Sequence, residues 1–144
     1  MELIITSEYK ERLHNIVSSY QIPVEGIEII SDIQAWCKER NIPEKNALLT
    51  GKCLKNNKTG KHLILLRSEI SESMQRSIIR AISIRGFSEK INLLETSWGF
   101  LKHLLFHELG HAKDNSWSET QCDEWAFSMM EQVSNYKSLK QDKK

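Results

Sequence analysis

The chain has 144 residues, which is the usual size of one globular domain. Hydrophobic residues make up 40% of it and charged residues 27%, with 6 Gly and 2 Pro, so it is neither a disordered nor a fibrous sequence. Its 20 Lys and Arg against 19 Asp and Glu give a net charge of +1, which provides no excess positive charge for binding nucleic acid or an anionic membrane.

The cysteines Cys37, Cys53 and Cys122 are odd in number and include no CxxC pair. This spacing disfavours both a disulfide framework and a thiolate zinc site, and it fits a reducing compartment. The first residues lack the basic and apolar regions of a secretory signal, and no stretch has the apolar length of a membrane span. We therefore expect a cytoplasmic protein that does not enter a membrane.

Apolar residues recur at intervals of three and four near the amino terminus, as one buried face of a helix requires. The first predicted helix spans residues 7–21 and ends before Pro23. The second begins with Ser31 or Asp32 as its N-cap and ends at Arg40. Both helices are expected to be scaffold.

Between residues 47 and 68 the pattern changes to that of a β-hairpin. Two apolar runs, residues 47–54 and 62–66, flank the segment Asn56-Asn57-Lys58-Thr59-Gly60. Its Asn and Gly residues favour a tight reversal of the chain.

Helical spacing returns over residues 71–85, where Gly86 suits the C-terminal cap. A less regular connection is expected over residues 87–97. The next helix begins at Ser97 or Trp98 and ends at Lys113. It is apolar over more than half its circumference, so we expect it to be buried on most sides.

A last helix is predicted from Trp117 to Tyr136, followed by a polar, frayed tail over residues 137–144. The predicted fold class is therefore α+β, mostly helical, with a small sheet or hairpin packed on the helix that ends at Lys113. Residues 1–136 are expected to form a single domain.

The buried helix carries a His-Glu-x-x-His motif, His107-Glu108-Leu109-Gly110-His111. Residues four apart lie on one helix face, so His107 and His111 can direct ring nitrogens at one ion about 2 Å from each. The intervening Glu108 can reach a water in an open coordination position and take its proton. Imidazole and carboxylate ligands suit zinc, so we expect one Zn²⁺ ion.

Glu119 is the best candidate for the third ligand. It stands eight residues after His111, beyond a turn that lets the last helix return to the motif. Asp123 lies one turn further along the same face. It is placed to accept the spare N–H of a ligand histidine, which fixes the tautomer and orientation of that ring.

Other assignments remain open for this region. The segment Ser116-Trp117-Ser118-Glu119 also has the sequence of a capping box, in which Glu119 would bond the backbone at the start of the helix. Asp114 and Glu124 are weaker substitutes as the third metal ligand.

The motif and the helix after it form a longer pattern, and its residues all lie between positions 98 and 130. They are His107-Glu108-Leu109-Gly110-His111-Ala112, then Glu119-Thr120-Gln121-Cys122-Asp123-Glu124-Trp125-Ala126, then Met129-Met130. This pattern resembles the ImmA/IrrE-type zinc metallopeptidases, a group of zincins with HExxH and ExxxD motifs. The chain departs from the group in the short interval before Glu119 and in having Cys122 where Ala is usual.

The resemblance implies His107, His111 and Glu119 as zinc ligands and Glu108 as the general base. It also implies a zincin-like metallopeptidase fold and cleavage of a protein substrate, typically a DNA-binding repressor in bacteria or mobile elements.

Five further residues are weaker candidates for contact with a substrate or a transition state. His103 lies one turn before the motif, with a surface or supporting role as its alternative. His62, on the second hairpin strand, either flanks a peptide that pairs with a strand edge or faces solvent. Tyr9, Tyr20 and Tyr136 are candidate hydrogen-bond donors to an oxyanion.

Two functions are consistent with these residues. The first is a zinc-dependent endopeptidase that cuts a protein or peptide, such as a bacterial or phage repressor, with Glu108 activating a zinc-bound water. The second is a non-catalytic, zinc-stabilised protein-binding module such as an antirepressor or a toxin-system component. Glu108 binds no metal in this scheme, so its presence favours the enzyme.

Overall fold

The computed structural model describes the backbone of residues 2–142 and the side chains of residues 2–132. This part of the chain is an α+β fold. Its strands are β1 (Leu3–Ile4), β2 (Val24–Ile30), β3 (Gly51–Lys55), β4 (His62–Arg67) and β5 (Glu69–Ile70). Its α-helices are α1 (Ser7–Ser18), α2 (Ile33–Glu39), α3 (Glu72–Ile82), α4 (Ser97–Lys113) and α5 (Glu119–Asp142).

A sheet of three strands in the order β2-β4-β3 forms the centre of the fold. Strand β4 pairs in parallel with β2 and antiparallel with β3, which leaves β3 at an edge. Successive side chains of β4 point to opposite faces. Ile64 and Leu66 pack into the main core, whereas Leu65 packs on the far side against Ile33 and Cys37 of α2.

Helix α4 begins after the N-cap Thr96, whose hydroxyl accepts a hydrogen bond from the Gly99 N–H. It is buried on nearly all sides, and it packs against α5, β3 and β4. Its close approach to α5 depends on Gly110, because a Cβ atom there would lie 3.2 Å from the Cys122 sulfur. Helix α4 therefore lies at the centre of the core and packs against both helices and strands.

Most of the predicted elements are confirmed. Asp32, not Ser31, caps α2 by accepting a hydrogen bond from the Ala35 N–H. The hairpin is present, although its first strand begins at Gly51 and not at residue 47. Gly86 ends the helical segment with a φ of 107°, as expected for a C-terminal cap.

Other predictions are wrong in detail. Val24–Ile30 forms a strand where none is predicted, and Ser88–Leu94 forms a 3-10 helix within residues 87–97, where an irregular connection is predicted. The first helix ends at Ser18, where the N–H groups of Ser19 and Tyr20 turn back to Ile16 and Val17.

The last helix differs from its prediction at both ends. It begins at Glu119, two residues later than predicted, and its backbone continues through Asp142. The division into a domain over residues 1–136 and a tail over 137–144 stays a prediction, because side chains from residue 133 onward lie outside the described part. Among the described helices, none combines the length and apolarity that crossing a membrane requires.

Candidate metal centre

Two carboxylates from α5 contact the motif histidines of α4. The Nε2 atom of His107 lies 2.7 Å from Glu119 Oε2, and that of His111 lies 3.0 Å from Glu119 Oε1. The other ring nitrogen of His107, Nδ1, lies 2.7 Å from Asp123 Oδ1. The two oxygens of Glu119 therefore face both histidines at once.

These contacts create a group of three metal-binding side chains. The donor atoms of His107, His111 and Glu119 all lie within 4.8 Å of one another. No other group of three such side chains is found in the described part of the chain. A tetrahedral zinc ion with bonds of 2.0–2.2 Å places its ligand atoms roughly 3.3 Å apart. The three donors are thus suited in number, type and approximate spacing to hold a metal ion.

The charges of this group depend on one another. Burial by itself would lower the pKa of His107, but hydrogen bonds to Asp123 and Glu119 outweigh burial and raise it to about 10. The hydrogen bonds from His107 and His111 hold the pKa of Glu119 well below its ordinary value. A bound metal needs a free lone pair on Nε2, so metal binding must release the proton that His107 carries there.

Asp123 is fully buried and anchors His107 from behind. Arg85 Nη1 donates a hydrogen bond of 2.6 Å to the other carboxylate oxygen, Oδ2. Burial raises the pKa of Asp123, but the hydrogen bonds to His107 and Arg85 outweigh it and keep the pKa below its ordinary value. Asp123 therefore stays ionised and can hold the Nδ1 proton of His107, which leaves Nε2 directed at the metal position.

Glu108 lies beside the donor group without belonging to it. The residue is 7% exposed, and burial raises the pKa of its carboxyl. It packs against Gly51 of β3, where a Cβ atom would lie 3.0 Å from Glu108 Oε2 and 3.1 Å from Leu104 Cδ1. The absence of a side chain at residue 51 thus leaves the space in which the Glu108 carboxylate sits.

A cavity of about 720 Å³ opens onto these residues. It is lined by side chains of α4, β3 and α3, together with Glu119 and Asp123 of α5. Among the described strands, none pairs with the edge of β3 that faces away from β4. Main-chain hydrogen bonds join Thr50 to Arg67 and Asn56 to Lys61. In an antiparallel pair every second residue bonds the neighbouring strand, so the N–H and C=O groups of Gly51, Cys53 and Lys55 point away from β4.

The capping role proposed as an alternative for Glu119 is wrong. The capping box is formed by Ser118 and Gln121: the Ser118 hydroxyl accepts from the Gln121 N–H, and the Gln121 side chain accepts from the Ser118 N–H. This arrangement leaves the Glu119 side chain free to contact the histidines. Asp114 instead accepts hydrogen bonds from Ser116, and neither Asp114 nor Glu124 belongs to the donor group.

The weaker candidates are distributed around the site. His62 and His103 both line the cavity and are buried, so the solvent-facing alternative for His62 and the surface alternative for His103 are wrong. Tyr9 stacks on Trp98 and Tyr20 packs edge-on to a phenylalanine, so both contribute to the core. The side chain of Tyr136 lies outside the described residues.

Sequence reasoning missed two residues of this site. They are Arg85, at the end of the predicted helix over residues 71–85, and Gly51, within the predicted strand over residues 47–54. A glycine within a predicted strand was the available signal for a close approach of the backbone to another group. No comparable signal distinguishes Arg85 from the other arginines of α3.

Comparison of the chain with protein-family models, with curated proteins and with solved structures finds no match in any of the three. The interpretation of the site therefore depends on its geometry and on the sequence pattern.

We predict that Glu119→Gln weakens zinc binding by at least about a hundredfold, because the amide supplies a neutral donor in place of a carboxylate ligand. Zinc affinity is measured by competition with a chromophoric chelator. Glu124→Gln, on the exposed face of the same helix, is the matched control and should bind zinc as the unmodified protein does. Equal affinity of the two variants would remove Glu119 from the ligand set.

Proposed function

We propose that this protein is a zinc metallopeptidase of the ImmA/IrrE type, with a zincin-like fold, that hydrolyses a peptide bond within a protein substrate. The supporting observation is that the Glu119 carboxylate contacts both motif histidines, while Glu108 lines the cavity beside them. Three protein ligands leave a fourth zinc position open, which is typical of catalytic sites and not of structural ones.

A zinc ion held by His107, His111 and Glu119 would polarise the substrate carbonyl and make a bound water more acidic. Glu108 accepts the proton of the attacking water and passes a proton to the leaving amine. Its burial favours proton transfer near neutral pH, because burial raises the pKa of a carboxyl toward that range. Asp123 holds the His107 ring in the orientation that its ligand role requires.

The edge strand β3 is the proposed place for the substrate backbone. The outward N–H and C=O groups of Gly51, Cys53 and Lys55 can pair with an extended peptide, as a further strand added to the sheet. Gly51 lies next to Glu108, so a peptide paired there passes over the general base. This geometry favours an unfolded or extended segment of a protein as the substrate.

The substrate class rests on the sequence resemblance. By that resemblance, the substrate is a DNA-binding repressor in bacteria or in mobile elements such as phages. The near-neutral charge of the chain fits contact with such a protein and not with nucleic acid directly. The competing function, a zinc-stabilised binding module, needs no general base and is separated from the enzyme by the following experiment.

We predict that Glu108→Gln abolishes peptide hydrolysis and still binds one zinc ion, since Glu108 acts as a base and not as a ligand. The zinc-loaded protein is incubated with a tryptic peptide library from a bacterial proteome, and new peptide termini are identified by mass spectrometry. The same termini in the Glu108→Gln sample would mean that another group is the base. No new termini from the unmodified, zinc-loaded protein would favour the binding module.

We also predict that Gly51→Ala lowers the hydrolysis rate by about tenfold or more while zinc affinity is retained, because the added Cβ displaces the Glu108 carboxylate. Gly26→Ala on β2 is the matched control, since nothing lies within 4 Å of the added Cβ there. Rates are compared on one peptide identified in the library. An unchanged rate in Gly51→Ala would show that Glu108 does not need its present position.

A further inference from the structure

The buried Asp123 carboxylate lies between three nitrogen-bearing side chains. Its Oδ2 accepts a hydrogen bond of 2.6 Å from Arg85, and its Oδ1 lies 2.7 Å from His107 Nδ1. His103 also approaches Oδ1, with its Nε2 at 3.4 Å. One carboxylate oxygen is therefore within reach of two histidines.

His103 does not complete that contact. Its Nε2 is sealed from solvent and has no hydrogen-bond partner among the described residues. A buried polar atom without a partner costs about 1–3 kcal/mol. A small rotation of the Asp123 carboxylate toward His103 would relieve that cost, and it would take Oδ1 away from His107.

Arg85 opposes this rotation. The terminal torsion of an aspartate is broad, so one hydrogen bond to Oδ1 leaves the carboxylate plane free to turn. The second bond, from Arg85 to Oδ2, fixes the plane with Oδ1 facing His107. The arginine side chain is 29% exposed and lines the cavity, while Asp123 is sealed beneath it.

Arg85 lies in a stretch of backbone that is not regular α-helix. Arg85 lies in a π-helical turn, Ser83–Phe87, that continues α3 and ends through Gly86 at a φ of 107°. The next residue, Phe87, packs on Phe127 at a ring distance of 5.4 Å. Phe127 in turn contacts the His103 ring at 4.6 Å, so the same aromatic group that covers His103 also anchors the turn bearing Arg85.

We propose that Arg85 is a positioning residue of the metal centre, which locks Asp123 onto His107 and away from His103. This inference rests on the proposed zinc site. It adds to that site the residue that keeps Asp123 hydrogen-bonded to His107 and not to His103. Arg85 acts through Asp123 on the orientation of the His107 ring, and its effect is therefore on how tightly and in what geometry the metal is held.

The test measures zinc affinity and the visible absorption of the Co²⁺-substituted protein, whose bands report ligand geometry. We expect Arg85→Ala to weaken Zn²⁺ binding by roughly 10–100-fold and to alter the Co²⁺ bands, in line with the effect of removing a residue that supports a ligand. Arg85→Lys keeps a donor and a charge, so it should recover part of the affinity. Arg80→Ala, an exposed arginine of the same helix, is the matched control and should change neither readout.

Competition by His103 is tested with a double-mutant cycle. The loss caused by Arg85→Ala is measured in the unmodified chain and in a His103→Leu background, where the competing nitrogen is gone. We expect that loss to be at least about tenfold smaller in the second background. An equal loss in both backgrounds would overturn the competition, even if Arg85 matters for affinity.

A folding control accompanies every Arg85 variant. Circular dichroism of the metal-free variants checks folding, and if Arg85→Ala does not fold, Arg85→Gln replaces it throughout the cycle. Unchanged affinity and Co²⁺ bands in a folded Arg85 variant would overturn the positioning role. Failure of the unmodified protein to bind one equivalent of Zn²⁺ would instead overturn the proposed function.

Discussion

The contact of the Glu119 carboxylate with His107 and His111 is the interaction on which the rest of the site depends. Helix α4 is buried on nearly all sides, so each polar side chain that it carries needs a partner inside the protein. Glu119 and Asp123 supply partners from α5 for His107 and His111, and Gly110 lets the two helices approach closely enough for this. The packing of α5 on α4 therefore also brings the donor group together.

The burial of α4 also explains the arrangement around the site. Strand β3 can lie directly over α4 because Gly51 has no side chain, and this leaves Glu108 at the floor of an open cavity. Arg85 neutralises Asp123 from the α3 side. Three separate parts of the chain therefore meet at the site: α5 supplies Glu119 and Asp123, the turn after α3 supplies Arg85, and β3 supplies the space beside Gly51.

Much of this could be predicted from the sequence. The spacing of four between His107 and His111 and the apolar residues around them identify the buried helix, and the distance to Glu119 suffices for a returning helix. The start of that helix could not be fixed, because the capping boxes beginning at Ser116 and Ser118 both fit the sequence pattern. Only the contacts of Gln121 show which of them forms.

Strand β2 and Arg85 lay beyond prediction for a different reason. Strand β2 is rich in β-branched residues, but Gly26 and the register shift next to it interrupt the alternation, and the parallel pairing with β4 is a long-range contact. Arg85 resembles the other polar residues of its helix until the π-helical turn directs it toward Asp123. Both features depend on the assembled fold and not on a local pattern.

The most direct test of the account is X-ray absorption at the zinc edge of the protein loaded with one equivalent of Zn²⁺. Ligation by His107, His111 and Glu119 predicts a first coordination shell of nitrogen and oxygen atoms only, at about 2.0–2.2 Å, with the multiple-scattering signature of two imidazoles. A sulfur atom at about 2.3 Å would contradict it, because Cys53 or Cys122 would then hold the metal in place of Glu119.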